Sequence, residues 1–150
     1  MQKLKILNTK EIKEIKKKIL EQWGVDFKTD FAFLLSSRNR IYLISKDVSK
    51  INYEELRMQV VGNYFGELMK NGELRLSIEG SQLIGPEATK NVIEIDDVKG
   101  WLFGNDIKTE RQEEGFLIVK NNGDFMGTGK IKNKEILNFI PKTRRISNQD

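Results

Sequence analysis

The chain has 150 residues, of which 38% are hydrophobic and 32% are charged, and this composition is typical of a globular protein with a modest core. It contains no cysteine and no histidine, which excludes disulfides, thiolate nucleophiles, serine–histidine–aspartate triads and zinc sites of the usual nitrogen and sulfur type. The net charge is +4. Residues 1–20 hold seven lysines and two glutamates, and residues 115–150 hold seven basic and three acidic residues, so the centre of the chain is acidic. Basic ends of this kind indicate either a polyanionic partner or a lysine-rich solvated surface.

The N-terminal sequence MQKLKILNTK lacks the apolar segment of a signal peptide. No apolar run approaches the roughly 20 residues that a transmembrane helix needs. We therefore expect a cytoplasmic protein.

The first predicted element is a helix in NTKEIKEIKKKILEQWG. Asn8 is a candidate cap, Glu11 has the capping-box spacing, and Gly24 suits the C-terminal end. The apolar residues at helical spacing are Ile12, Ile15, Ile19 and Trp23. The segments FAFLL and RIYLIS then predict a hairpin, because aromatic and β-branched residues flank a Ser-Ser-Arg-Asn turn.

The segment NYEELRMQVV predicts a helix that ends at Val61 and breaks at Gly62, and ELRLSIEG alternates as a strand. NVIEIDDVKGWLFGNDI predicts a strand, a turn and a glycine-containing segment. GFLIVK and DFMGTGKIKN predict a hairpin through NNGD, and EILNFI predicts a last strand that Pro141 ends. We expect the polar tail KTRRISNQD to fray.

These elements predict an α+β protein. A mixed α/β domain over residues 1–88 precedes a small β-barrel over residues 89–150, with the boundary near Ala88. No linker of low complexity separates the two parts, so we expect them to pack closely. No heptad seam is present, and we expect a monomer.

Gly127 and Gly129 lie in the second strand of the C-terminal hairpin, where a simple hairpin needs only the turn glycine. Glycines of this kind allow a strand to bend around a small barrel. They also allow another backbone, such as RNA, to approach closely. Glycine content alone leaves both explanations open.

The hairpin GFLIVKNNGDFMGTGKIKN resembles the PUA domain. WLFGNDI (101–107) and GNYFGELMKNGELRLSI (62–78) resemble a ribosome-biogenesis family of the Nip-seven type, in which a pre-PUA domain precedes a PUA domain. The C-terminal segments, which end in EILNFIPKTRR, are also similar to the PUA-like tail of Sun-type RNA cytosine-5 methyltransferases. In those enzymes the tail follows a catalytic domain. Both resemblances imply RNA binding, and neither implies catalysis by this chain.

Two other sets of residues allow a functional and a structural interpretation. Glu94, Asp96 and Asp97 could hold Mg²⁺, although such a cluster is more often a solvated turn. Phe65 and Trp101 could stack on bases, although a place in the core is more common for such residues. We expect no metal and no cofactor.

A basic set near the C-terminus supplies the predicted RNA-binding site. Its members are Lys130, Lys132, Lys134, Lys142, Arg144 and Arg145. The three lysines alternate, so on one strand they would share a face. If the last two strands pair antiparallel, the tail would join them in one electrostatic face.

The sequence therefore predicts a non-catalytic RNA-binding accessory protein in rRNA or tRNA maturation or modification. Its partners would be rRNA or tRNA, with single-stranded RNA as one option. A second partner would be an RNA methyltransferase or an RNA-processing complex. The alternative is a protein–protein adaptor that docks on such an enzyme through its acidic N-terminal half. An enzyme is not expected, because no nucleophile–base pair is visible.

Overall fold

The computed structural model describes residues 3–45 and 63–147. Within these ranges the protein is α+β, as predicted, and contains two five-stranded sheets with short and long helices. The helix predicted to end at Val61 lies outside the described residues. No helix in the described part of the chain has the length and apolarity needed to cross a membrane.

The first sheet is antiparallel, and its strands are neighbours in the order in which they occur in the chain. They are β1 (Leu4–Ile6), β2 (Ala32–Ser36), β3 (Arg40–Ile44), β4 (Tyr64–Leu68) and β5 (Leu74–Leu76). The predicted hairpin is therefore confirmed as β2 and β3. Its turn needs a left-handed residue, which Asn39 supplies with φ of 62°.

Helix α1 (Thr9–Trp23) packs on this sheet, and the predicted start and end are confirmed. Asn8 and Glu11 form the reciprocal capping box, and Gly24 ends the helix in the left-handed conformation. The side chains that α1 buries are Ile15, Ile19 and Trp23.

Two helices are missing from the sequence prediction, and each begins at a side chain that caps it. The strand predicted in ELRLSIEG ends at Leu76, because Ser77 then accepts a hydrogen bond from Gly80 N and starts helix α2 (Ile78–Ile84). Asp97 accepts from Gly100 N in the same way and starts helix α3 (Val98–Leu102). Strand β4 was also not predicted, since only a break at Gly62 was visible there.

The second sheet has the order β6-β8-β9-β10-β7 and curls into a half-barrel. Its strands are β6 (Val92–Glu94), β7 (Ile107–Lys108), β8 (Phe116–Asn121), β9 (Asp124–Lys132) and β10 (Glu135–Asn138). β6 is parallel to β8, and the other pairs are antiparallel. A 3₁₀ turn (Lys142–Arg144) follows β10, so the tail predicted to fray is ordered at this point.

The two glycines of β9 are needed for different reasons. Gly127 has φ of 92° and lies where the β8–β9 register shifts between Ile118 and Lys120, so it forms a bulge that bends the strand. Gly129 has no room for a side chain, because a Cβ would lie 2.6 Å from Ile136 Cγ2. The described residues thus give both glycines a structural role: Gly127 bends β9, and Gly129 lets β9 and β10 approach closely.

The two sheets share a core, as expected from the absence of a linker. Phe116 and Ile118 of β8 belong to the apolar cluster that α1 covers. Trp23 Nε1 donates to Phe116 O at 3.1 Å, and Thr128 Oγ1 donates to Leu76 O at 3.0 Å. The domain boundary near Ala88 stays a prediction.

Candidate nucleic-acid interface

The six predicted basic residues form two groups, one on the β9–β10 hairpin and one after the end of β10. We call Lys130, Lys132 and Lys134 the hairpin lysines, and Lys142, Arg144 and Arg145 the tail cations. Lys132 pairs with Glu135 at the first residue of β10, and Gly129 pairs with Asn138 at the last. The length of β10, about 10 Å at 3.4 Å per residue, therefore separates Lys132 and Lys134 from the tail cations, whereas Lys130 pairs with Leu137 near the tail end of β10.

The predicted common face of the three hairpin lysines is wrong for Lys134. β9 ends at Lys132, and Lys134 lies in the turn that follows, where both Asn133 and Lys134 have positive φ. The chain reverses there before a third alternating position is reached. Lys132 and Lys134 are both exposed.

Lys130 is half-buried and joins the two sheets. Its Nζ lies 2.7 Å from Glu73 Oε1, which follows the first sheet's β4, and 4.8 Å from the centre of the Phe116 ring. Burial raises the pKa of Glu73, but hydrogen bonds from Lys130 and Asn71 outweigh that effect and hold it below its usual range. Lys130 is therefore committed to a contact within the protein.

Two of the tail cations are also engaged. Arg144 forms an ion pair with Glu79 of α2. Arg145 Nε donates to Ile140 O at 2.9 Å, and its guanidinium packs against Gly104, where a Cβ would collide with it. The next residue, Ile146, donates its N–H to Leu102 O at 3.0 Å. The prediction that the tail frays is wrong for this part, because Arg144 ties it to α2 and the Ile146–Leu102 hydrogen bond ties it to α3. Most of its side chains are nevertheless exposed, as expected for residues beyond the last strand.

Lys142 and Arg144 are both exposed, but Arg144 is held in its ion pair with Glu79. Among the described residues, no ion pair involves Lys132, Lys134 or Lys142. These three lysines are the members of the predicted site whose charges are available to an external anion.

A groove that sequence reasoning missed lies between the first sheet and the tail. We call it the inter-sheet groove, and its volume is about 520 Å³. The described residues that line it are Arg40, Tyr42, Tyr64, Arg75, Pro141, Lys142, Thr143 and Arg144. The alternation of residue types along β3 could have indicated this groove. Arg40 and Tyr42 flank the buried Ile41, so their side chains point away from α1.

Strand register explains how these side chains come together. Arg40 pairs with Glu67 and Glu67 with Arg75, while Tyr42 pairs with Tyr64. The Tyr42 and Tyr64 rings lie 5.8 Å apart, and Arg40 Cζ lies 5.9 Å from the centre of the Tyr64 ring. Burial raises the pKa of Tyr64, and the neighbouring Arg75 partly offsets this. The groove thus combines cations with aromatic surface.

The remaining candidates have structural roles. Phe65 and Trp101 are 1% and 0% exposed, so neither can stack on a base. Glu94 accepts from Asn122 N, and Asp97 caps α3. In residues 3–45 and 63–147 no group of three or more carboxylates forms a metal site.

Two protein-family models match the chain, one over the residues of each sheet. The model of the NIP7/UPF0113 pre-PUA domain matches residues 4–78, which is half of the chain, and the model of the methyltransferase RsmF PUA domain matches residues 90–146. The chain belongs to the NIP7/UPF0113 pre-PUA family and carries a PUA-type domain after it. Both resemblances drawn from the sequence are confirmed.

Curated relatives agree with the second match. The chain is 32% identical over 89 residues to the ribosomal RNA small subunit methyltransferase F of two Vibrio vulnificus strains, YJ016 and CMCP6. The aligned part covers 59% of this chain and 19% of each relative. The chain therefore combines a pre-PUA domain with a PUA-type domain, and it spans about a fifth of the length of these relatives, which are rRNA methyltransferases by name.

Proposed function

We propose that this chain is a non-catalytic RNA-binding accessory protein in rRNA maturation or RNA modification. The observation that carries the proposal is the exposure of Lys132, Lys134 and Lys142, whose ammonium groups have no ion-pair partner among the described residues of a PUA-type domain. Unpaired cations attract phosphates, and the release of counterions makes such binding dependent on salt.

The proposed protein acts as a monomer beside an RNA methyltransferase or an RNA-processing complex. Support for a link to RNA methylation comes from the relatives, because the matched curated proteins are rRNA methyltransferases by name. Support for the absence of catalysis comes from the composition: the chain has no cysteine and no histidine, and Glu94 and Asp97 are engaged in backbone contacts. The pure chain is therefore expected to show no hydrolysis and no methyl transfer on RNA.

Filter binding of the wild-type chain to single-stranded RNA and to total rRNA, from about 50 to about 200 mM salt, tests the proposal. Each phosphate contact contributes about −0.7 to the slope of log K against log salt on single strands. We expect binding at low salt and a slope of about −2 or steeper, because three lysines are available. Absence of binding at low salt would refute the proposal.

A protein–protein adaptor is the second candidate, and one observation favours it. Phe31 and Leu83 are 43% and 45% exposed and flank a cavity of about 290 Å³ beside Tyr64 and Gly80. Exposed apolar side chains around a cavity are typical of protein-binding surfaces. Weak or absent RNA binding together with affinity for a purified RNA-processing enzyme, lost on Leu83→Ser, would favour this function over the first.

A further inference from the structure

The inter-sheet groove has more positive than negative charge. Four cations line it: Arg40, Arg75, Lys142 and Arg144. Two carboxylates approach these cations. Glu67 Oε1 lies 3.2 Å from Arg75 Nη2 and 3.8 Å from Arg40 Nε, and Glu79 pairs with Arg144. Among the described residues, an excess of two positive charges remains for an anion from outside.

One donor in the groove also lacks a partner. Arg40 Nε is buried and makes no hydrogen bond with any described residue, since its distance of 3.8 Å to Glu67 is too long for one. Buried N–H donors are nearly always satisfied, and a phosphate oxygen is an acceptor that guanidinium groups prefer. Arg40, which carries this donor and whose side chain is 41% exposed, lines the same groove as the exposed Lys142.

The aromatic rings of the groove indicate which chemical group is joined to the bound anion. Tyr42 and Tyr64 form an adjacent cross-strand pair in the groove, inclined at 46° to each other, and both side chains are partly exposed. Tyrosine rings beside a basic groove are typical platforms for unpaired bases. A base inside a duplex is covered on both faces by its neighbours, so it cannot use such a ring.

The size of the groove agrees with one nucleotide. Pockets for small ligands measure roughly 300 to 1,000 Å³, and this groove measures about 520 Å³. A double helix is far too wide to enter it. The surroundings therefore favour a flexible strand that can place one base in the groove and continue along the surface.

We propose that the inter-sheet groove binds one unpaired nucleotide of a single-stranded RNA, with the base on the Tyr42–Tyr64 pair and the phosphate at Arg40 and Lys142. This inference rests on the proposed RNA-binding function and adds the class of RNA and the place of contact. The site uses the first sheet as well as the tail, so the pre-PUA part contributes directly to recognition.

Two tryptophan reporters test the site. Tyr42→Trp places an indole in the groove, and Phe31→Trp is the matched control at an exposed aromatic position that does not line the groove. The probes are an oligouridine of about ten nucleotides, a duplex of the same length and uridine monophosphate. Because Trp23 and Trp101 are fully buried, their emission forms a constant background.

We expect oligouridine to quench Tyr42→Trp to saturation and to leave Phe31→Trp unchanged. The duplex should not quench, and uridine monophosphate should require roughly a hundredfold higher concentration, because it makes fewer phosphate contacts. Equal potency of the monophosphate would indicate a free-nucleotide site, and equal quenching by the duplex would exclude a single-strand site. Either result overturns the inference.

Lys142→Glu is a second test variant. Because Lys142 is exposed and lies outside both sheets, this substitution does not require a sheet to accommodate a larger side chain. We expect it to lower the affinity for oligouridine about tenfold, and Lys10→Glu on α1 to change it less than twofold. If the wild-type chain binds RNA but neither Lys142→Glu nor the reporters respond, the groove is wrong and the proposed function stands. If the wild-type chain binds no RNA at low salt, the proposed function itself fails.

Discussion

The hairpin lysines and the tail cations carry the same charge but differ in their surroundings. Each group has one member in an ion pair with a distant part of the chain: Lys130 pairs with Glu73 beside the first sheet, and Arg144 pairs with Glu79 of α2. Lys132 and Lys134 then lie at an exposed turn, whereas Lys142 lies beside tyrosines in a groove. We therefore propose different roles for the two groups: general attraction of phosphate at the turn, and contact with a single nucleotide at the groove.

The strand pair that separates the two regions is the place where a substitution should have the largest effect. Gly129→Val would bring a side chain against Ile136 Cγ2 at 2.6 Å and Trp101 Cη2 at 3.0 Å, so β9 and β10 could not keep their spacing. We expect a loss of about 3 kcal/mol in the free energy of unfolding. Chemical denaturation measures it.

Gly127→Val is the control for that substitution. The nearest atom to its Cβ is 3.7 Å away, so the cost comes from the positive φ alone and should be about 1 to 2 kcal/mol. Equal losses for the two variants would contradict the distinction between a crowded glycine and a bulge glycine.

The next largest loss of stability is expected for Arg145→Ala in the tail. This change removes the 2.9 Å hydrogen bond to Ile140 O and the packing on Gly104 that hold the tail near α3. Because a hydrogen bond of a charged group stabilises the folded state, we expect its removal to lower the free energy of unfolding by about 1 to 2 kcal/mol. Lys142→Ala, at an exposed neighbour, should change it by less than about 0.5 kcal/mol. An Arg145→Ala variant as stable as wild type would show that the tail is not anchored there.

The hairpin contact between the sheets should give the smallest effect, and it should depend on pH. The folded-state pKa of Glu73 is lowered, so its pair with Lys130 stabilises the protein above the ordinary carboxyl pKa of 4.5, and this contribution is lost as the pH falls through the folded-state pKa. The pair is partly exposed, so it contributes about 0.5 to 1 kcal/mol.

Urea unfolding of Glu73→Gln against wild type, from about pH 7 to about pH 3, measures this contribution. We expect the variant to be less stable at neutral pH and the difference to shrink in acid. Glu114→Gln, at an exposed carboxylate, should match wild type throughout. A constant deficit for Glu73→Gln across the whole range would contradict the ion pair as its cause.

The sequence was most informative where local chemistry decides the structure. The capping box of Asn8 and Glu11, the Gly24 end of α1 and the bulge glycine Gly127 were all visible, because each depends on residues close in the chain. Short helices such as α2 were not visible, since one capping serine inside an alternating pattern overrides the strand signal.

The site was predicted only in part, because it depends on contacts across the chain. Nothing near Lys130 in sequence indicates Glu73, which lies 57 residues away, and nothing near Arg144 indicates Glu79. The sequence alone would select Lys142, Arg144 and Arg145 for a joint substitution that leaves the fold intact. The ion pair of Arg144 and the anchor of Arg145 make that substitution structural as well.

The salt dependence of RNA binding in matched lysine variants tests the central claim most directly. The variants are Lys132→Ala with Lys134→Ala, Lys142→Ala alone, and the control Lys10→Ala with Lys13→Ala on α1, all at exposed positions. With oligouridine, we expect the slope of log K against log salt to flatten by about 1.4 for the hairpin pair and by about 0.7 for Lys142, and to stay unchanged for the control. A control that flattens the slope while the other two variants retain it would place the RNA on α1 and contradict the account.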